Sequence, residues 1–84
     1  MYFVYILRST LIKRFYIGFT LNIERRIKEH NSGKTRSTKA YRPWELFFKE
    51  NYNSLAEARN REKYLKSGIG REFIYNKWLR SITE

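Results

Sequence analysis

Five polar side chains in this sequence could carry chemistry: Tyr5, Tyr16, Arg26, His30 and Glu62. Three of them fall where a helix ought to be apolar. Asn22 is a natural N-cap, and the stretch after it, Ile23-Glu24-Arg25-Arg26-Ile27-Lys28-Glu29-His30, has helical periodicity. At about 100° per residue, with Ile23 at zero, Ile27 lies near +40°, His30 near about −20° and Arg26 near about −60°. Arg25, Lys28 and Glu29 turn to the opposite side. Ser54-Leu55-Ala56-Glu57 is a capping box that opens a second helix. On that helix Leu55, Ala58, Leu65 and Ile69 define a stripe, and Glu62 falls in its middle.

Burying an isolated carboxylate or guanidinium costs several kcal/mol, roughly, so such groups pair, bind a ligand or line a cleft. A guanidinium presents a planar fork that matches phosphate oxygens. A lone carboxylate suits a hard cation such as Mg²⁺, which keeps most of its waters. A tyrosine can relay a proton when a neighbouring cation or metal favours it. Together these are the parts for metal-assisted hydrolysis of a phosphodiester. Each part also has a plainer reading. Arg26 and Glu62 could form an ion pair between two helices, His30 could cap a helix C-terminus, and the tyrosines could simply pack among fifteen aromatic residues.

The 84-residue chain is expected to form one domain over 1–84 with a modest, aromatic-rich core. It has no cysteine and one histidine, which excludes disulfides, thiolate metal sites and multi-histidine sites. No apolar run approaches the roughly 20 residues of a membrane span. Nothing at the N-terminus reads as a signal peptide, so the expectation is a soluble, cytoplasmic protein. The net charge is +10, and residues 1–42 hold ten Lys/Arg against two Glu. A field of one sign on half a small domain points to a polyanion, nucleic acid first. Lys34, Arg36, Lys39 and Arg42 lie in what reads as an exposed basic loop, 34–42.

The elements that must position these groups read as strands at Tyr2–Leu7, Phe15–Gly18 and Trp44–Lys49. Helices read from Ile23 to a Gly33 cap, from Leu55 to about Ser67, and over 71–80, with Gly68 and Gly70 bracketing a break. The order β-β-α-β-α-α gives an α+β fold: a three-stranded, mainly antiparallel sheet with flanking helices.

The motifs carry a resemblance. Phe3-Val4-Tyr5, ten intervening residues and Tyr16-Ile17-Gly18 resemble the paired signature of the GIY-YIG nuclease domain, with Phe3 where the first glycine stands in its name. Thr20, the run Arg25-Arg26-x-x-x-His30-Asn31, and Ala58-x-x-x-Glu62 followed by Lys66 extend the likeness over roughly residues 2–77. It is nearest to small stand-alone bacterial members; the same domain is attached to larger modules in the ABC excinuclease and in homing endonucleases. The resemblance implies a metal-dependent DNA endonuclease with one Mg²⁺ or Mn²⁺ on Glu62. It implies Arg26 on the phosphoryl oxygens, His30 among the site residues, Tyr5 as the favoured base, and Tyr16 orienting water or phosphate. Gly18 would give the substrate backbone room. Arg8, Lys13 and Arg14 would join loop 34–42 on the DNA backbone, and a larger DNA-processing protein is an expected partner. The alternatives are a non-catalytic basic nucleic-acid-binding module, or a structural domain in which Arg26 and Glu62 are only an ion pair.

Overall fold

The computed structural model describes residues 1–83. Strand β1 (Tyr2–Ser9) is central, flanked by β2 (Phe15–Thr20) and β3 (Trp44–Tyr52) in the order β2-β1-β3, every pair antiparallel. The continuous apolar run Val4–Leu7 is buried on both sheet faces, as a strand with neighbours above and below requires. Val4 and Ile6 face a core with Ile17, Ala58, Leu65 and Ile74. Tyr5 and Leu7 face a second, smaller core with Trp44, Tyr16, Ile23 and Ile27.

Helix α1 (Ile23–Ser32) covers the Tyr5 face. Asn22 caps it, its side chain accepting from the Arg25 N–H at 3.0 Å, and Gly33 closes it at φ 86°. Only a residue without Cβ adopts that conformation freely. Asn31 then clamps the start of β3: its amide donates to the Trp44 carbonyl at 2.9 Å and accepts from the Trp44 N–H at 2.6 Å.

The stretch 34–42 is not simply an exposed loop. It holds a short helix, α2 (Arg36–Lys39), with Thr38 buried. Trp44 anchors it by donating from Nε1 to the Thr38 carbonyl at 2.8 Å.

Helix α3 (Leu55–Lys66) starts at the capping serine, and α4 runs over Gly68–Thr83. The two glycines expected to bracket a break instead begin α4. Gly68 opens it, while Gly70 packs against α3 so closely that a Cβ there would meet the Tyr64 carbonyl oxygen and Leu65 Cα. Backbone contact through Gly70 fixes the angle between the helices and turns Ile69 out to solvent. Leu55 is exposed too, so the expected α3 stripe reduces to Ala58 and Leu65. Among the described residues, no helix is long and apolar enough to cross a membrane.

Candidate active site

Four of the five candidate residues meet on the α1 face of the sheet. Tyr5 is 1% exposed and His30 fully buried. Arg26 donates from Nε to Tyr5 Oη at 3.3 Å, and Tyr5 Oη lies 3.1 Å from His30 Nε2. His30 Nδ1 lies 2.8 Å from Thr38 Oγ1, which donates to the Thr35 carbonyl at 3.3 Å. Tyr16 packs on His30, ring centroids 4.7 Å apart, and stands 6.3 Å from the Tyr5 ring.

The donors assign the direction of this chain. A guanidinium only donates, so Tyr5 oxygen accepts from Arg26 and its own hydrogen seeks another acceptor. His30 Nε2 is the one in reach. Nδ1 then carries the imidazole hydrogen and donates to Thr38, leaving every member satisfied. The electrostatics agree with a neutral imidazole. Burial, aided by the Arg26 charge, lowers the His30 pKa to about 4. Burial also raises the Tyr5 phenol to about 12, with Tyr16 and Glu62 adding to the shift and Arg26 opposing it. Burial works against the Arg26 charge, but hydrogen bonds to Tyr5 and Glu29 outweigh it and raise the guanidinium pKa.

Glu29, expected on the solvent side, turns back to Arg26: its Oε1 accepts from Nη1 at 3.1 Å. The spacing i,i+3 that brings them together was present in the sequence. No Arg26–Glu62 ion pair exists among the described residues. Glu62 instead meets Lys66 Nζ at 3.5 Å, with its side chain 20% exposed. It acts on Tyr5 from α3, a helix packed on the opposite sheet face. No cluster of three or more His, Asp or Glu occurs among the described residues. The available donor is therefore one partly exposed carboxylate, which fits a water-rich hard cation and not a site that demands several protein ligands.

Gly18 is a point of close approach to a side chain. It pairs with Tyr5 across β1 and β2, and a Cβ there would sit 2.7 Å from Tyr5 Oη. The Tyr5 phenol lies against the room that Gly18 leaves. Gly18→Ala is expected to push that phenol off both Arg26 and His30 and to destabilise the fold by about 2 kcal/mol, measured by denaturant unfolding.

The basic residues divide. Arg42 spends its guanidinium on carbonyls, donating from Nε to Lys39 at 2.9 Å and lying across Gly33. Arg8 pairs with Glu45 at 3.6 Å. Lys13 stacks on Tyr75 and Arg14 on Tyr41, each 4.1 Å from the ring centroid. Lys34, Arg36 and Lys39 are exposed, with no carboxylate partner among the described residues. A cleft of about 560 Å³ is bordered by Lys13, Arg14, Tyr16, Thr38, Arg71 and Tyr75. Of the five candidate residues, Tyr16 alone borders it. The residue that sequence reasoning missed is Thr38, which ends the buried chain; a threonine within a polar, basic run gave no signal of burial.

A three-stranded antiparallel sheet with helices on both faces is the fold that the paired motifs imply. The sequence matches the GIY-YIG catalytic domain over residues 1–76, and the chain belongs to that family. It is 44% identical over 66 residues to a UPF0213 protein of Syntrophus aciditrophicus, covering 76% of this chain and 75% of that one. It is 42% identical over 52 residues to a UPF0213 protein of Bacillus subtilis, covering 61% and 52% of the two chains. The solution NMR structure of a UPF0213 protein from Bacillus halodurans is similar at a TM-score of 0.54 and 32% identity, over 89% of this chain and 82% of that one. The family is of nuclease type.

Proposed function

We propose that this protein is a metal-dependent endonuclease that hydrolyses DNA phosphodiester bonds in the bacterial cytoplasm. The observation that carries the reading is the chain in which a half-buried Arg26 is tied to the buried Tyr5, His30 and Thr38. Apolar residues would fill that core at lower desolvation cost, so a positioned guanidinium is the gain. Tyr5 and Glu29 hold Arg26 while its remaining N–H groups stay available for phosphate oxygens. Those donors pair with charge that develops on the phosphoryl group.

Glu62 would hold one Mg²⁺ or Mn²⁺, which when bound supplies the charge that stabilises the leaving oxygen. The role of meeting water goes to Tyr16 rather than Tyr5. Tyr5 is shut away between Arg26 and His30 with its pKa near 12. Tyr16 borders the cleft, and we assign it to orient the attacking water and to relay its proton, the hydroxyl accepting from that water while passing its own hydrogen to solvent in the cleft. Lys13, Arg14, Lys34, Arg36 and Lys39 would hold the DNA backbone, giving affinity that falls with salt and carries little sequence information. A larger DNA-processing protein would supply target choice.

Paired variants test the assignment. Tyr16→Phe is expected to lower cleavage about 100-fold or more with thermal stability unchanged. Tyr5→Phe strands buried groups on Arg26 and His30 and is expected to lose about 1–3 kcal/mol. Wild-type cutting by Tyr16→Phe would remove that residue from the chemistry. The second reading, a binding module without catalysis, draws on the unpaired cations alone. It predicts salt-sensitive binding that no Tyr16 or Glu62 change affects.

A further inference from the structure

The connection between β1 and β2 presents two apolar side chains to solvent. Leu11 is 63% exposed and Ile12 46% exposed. Single exposed leucines are ordinary on a protein surface. Here, two neighbours share one tip whose backbone is pinned outward. Ser9, buried at the root, accepts on Oγ from the Leu11 and Ile12 N–H groups at 3.0 and 3.2 Å and donates to the Tyr41 carbonyl at 2.7 Å. Thr10 donates from its N–H and its hydroxyl to the Pro43 carbonyl, at 2.9 and 3.0 Å. The Ser9 N–H closes the turn on the Arg14 carbonyl at 2.9 Å. A loop tied this way cannot fold its apolar tip back onto the core.

The residues that follow indicate what the tip meets. Lys13 and Arg14 are exposed and have no acidic partner among the described residues. Both are held in place on aromatic rings, Tyr75 and Tyr41. Both also border the cleft that reaches Tyr16. A rigid apolar point flanked by cations, on a chain of charge +10, is complementary to a stacked, polyanionic duplex. Leucine and isoleucine are among the side chains that enter base steps, where partial unstacking is offset by a bend that brings more phosphate to the protein.

We propose that the β1–β2 tip is a wedge. Leu11 and Ile12 enter a base step of duplex DNA, and Lys13 and Arg14 hold the flanking phosphates. The step is opened beside Tyr16, at the candidate cleavage site. This rests on the nucleic-acid reading above and adds to it a distortion of the duplex.

The test uses a duplex carrying 2-aminopurine, whose emission rises when its stacking is lost, at low salt in EDTA so that nothing is cut. Binding is followed separately by anisotropy, for wild type and for the double variant Leu11→Ala/Ile12→Ala. Lys13→Ala serves as a second variant. Wild type is expected to raise the emission severalfold on binding. The double variant is expected to bind yet lose most of that rise. Lys13→Ala is expected to bind more weakly but to reach the full rise at saturation. Bound wild type without a rise, or an equal rise in the double variant, overturns the wedge while leaving the binding reading intact. Wild type that binds no DNA removes both. A tip change that instead abolishes self-association or adsorption to anionic vesicles, with the emission unaffected, assigns these side chains to another partner and overturns the proposal.

Discussion

Glu62→Ala is expected to remove metal-dependent strand cutting while leaving the fold as stable as wild type. The two halves of that result come from different observations. Electrostatic stabilisation by a metal ion is worth several kcal/mol, and each 1.36 kcal/mol is tenfold in rate, so the loss is expected at about 100- to 10,000-fold. Stability should change little. Among the described residues Glu62 makes no ion pair with Arg26, and the one it does make is with the exposed Lys66; pairs of that kind contribute about 0–1 kcal/mol. A structural Arg26–Glu62 bridge would have given the opposite pattern, a marked loss of stability. Denaturant unfolding of the variant beside a cleavage time course separates the two. An intact rate in Mg²⁺ would take Glu62 out of the site.

Acid is expected to destabilise the protein through His30. The folded imidazole takes its proton near pH 4, chiefly because it is buried, then because Arg26 stands beside it. The unfolded chain takes that proton near the ordinary value of about 6.5. Between those values the unfolded state binds more protons, so stability falls as pH falls. The stabilisation is complete above about pH 6.5 and is lost by about pH 4. At 1.36 kcal/mol per unit it amounts to about 3 kcal/mol. Glu29, near Arg26, opposes part of the shift. The comparison is wild type against His30→Gln, unfolded in denaturant at intervals from pH 7 to pH 4. The difference in stability between them is expected to change by that amount across the range. A constant difference would mean that His30 takes its proton at the same pH in the folded and unfolded chains. A difference that instead grows in favour of wild type as pH falls would mean that His30 is charged in the folded protein and that the chain through Tyr5 runs in the other direction. In that case Tyr5 oxygen would accept from both neighbours.

The local signals in the sequence were reliable where a mechanism stood behind them. Asn22 and Gly33 bound α1 because a side-chain acceptor and a left-handed residue leave few alternatives. Ser54 starts α3 for the same reason, its Oγ accepting from the Glu57 N–H at 3.2 Å. The helical wheel singled out Arg26 and His30 because polar groups on an apolar stripe require partners, and Tyr5 provides one for both. What could not be read were contacts between segments far apart in the chain. Thr38 is buried because Trp44 and His30 close over α2 from either side, and nothing in its neighbours announces that. Gly18 was legible as a place of close approach, but not what approaches: the phenol of Tyr5, one strand away. Ile69 fitted the α3 stripe only if α3 ran on past Ser67. The backbone contact at Gly70 turns the chain first, and periodicity does not see such a turn.

The most direct measurement is cleavage by the wild-type protein of labelled DNAs of several shapes: single strand, duplex, flap and branched junction. It is run at low salt with Mg²⁺, with Mn²⁺ and with EDTA. Cutting of at least one shape with either metal, and of none in EDTA, is the predicted result, and the preferred shape would define the substrate. Salt-sensitive binding to these DNAs with no cutting under any condition would contradict it, and would leave the chain a nucleic-acid-binding module that keeps the Arg26–Tyr5–His30 chain without the reaction.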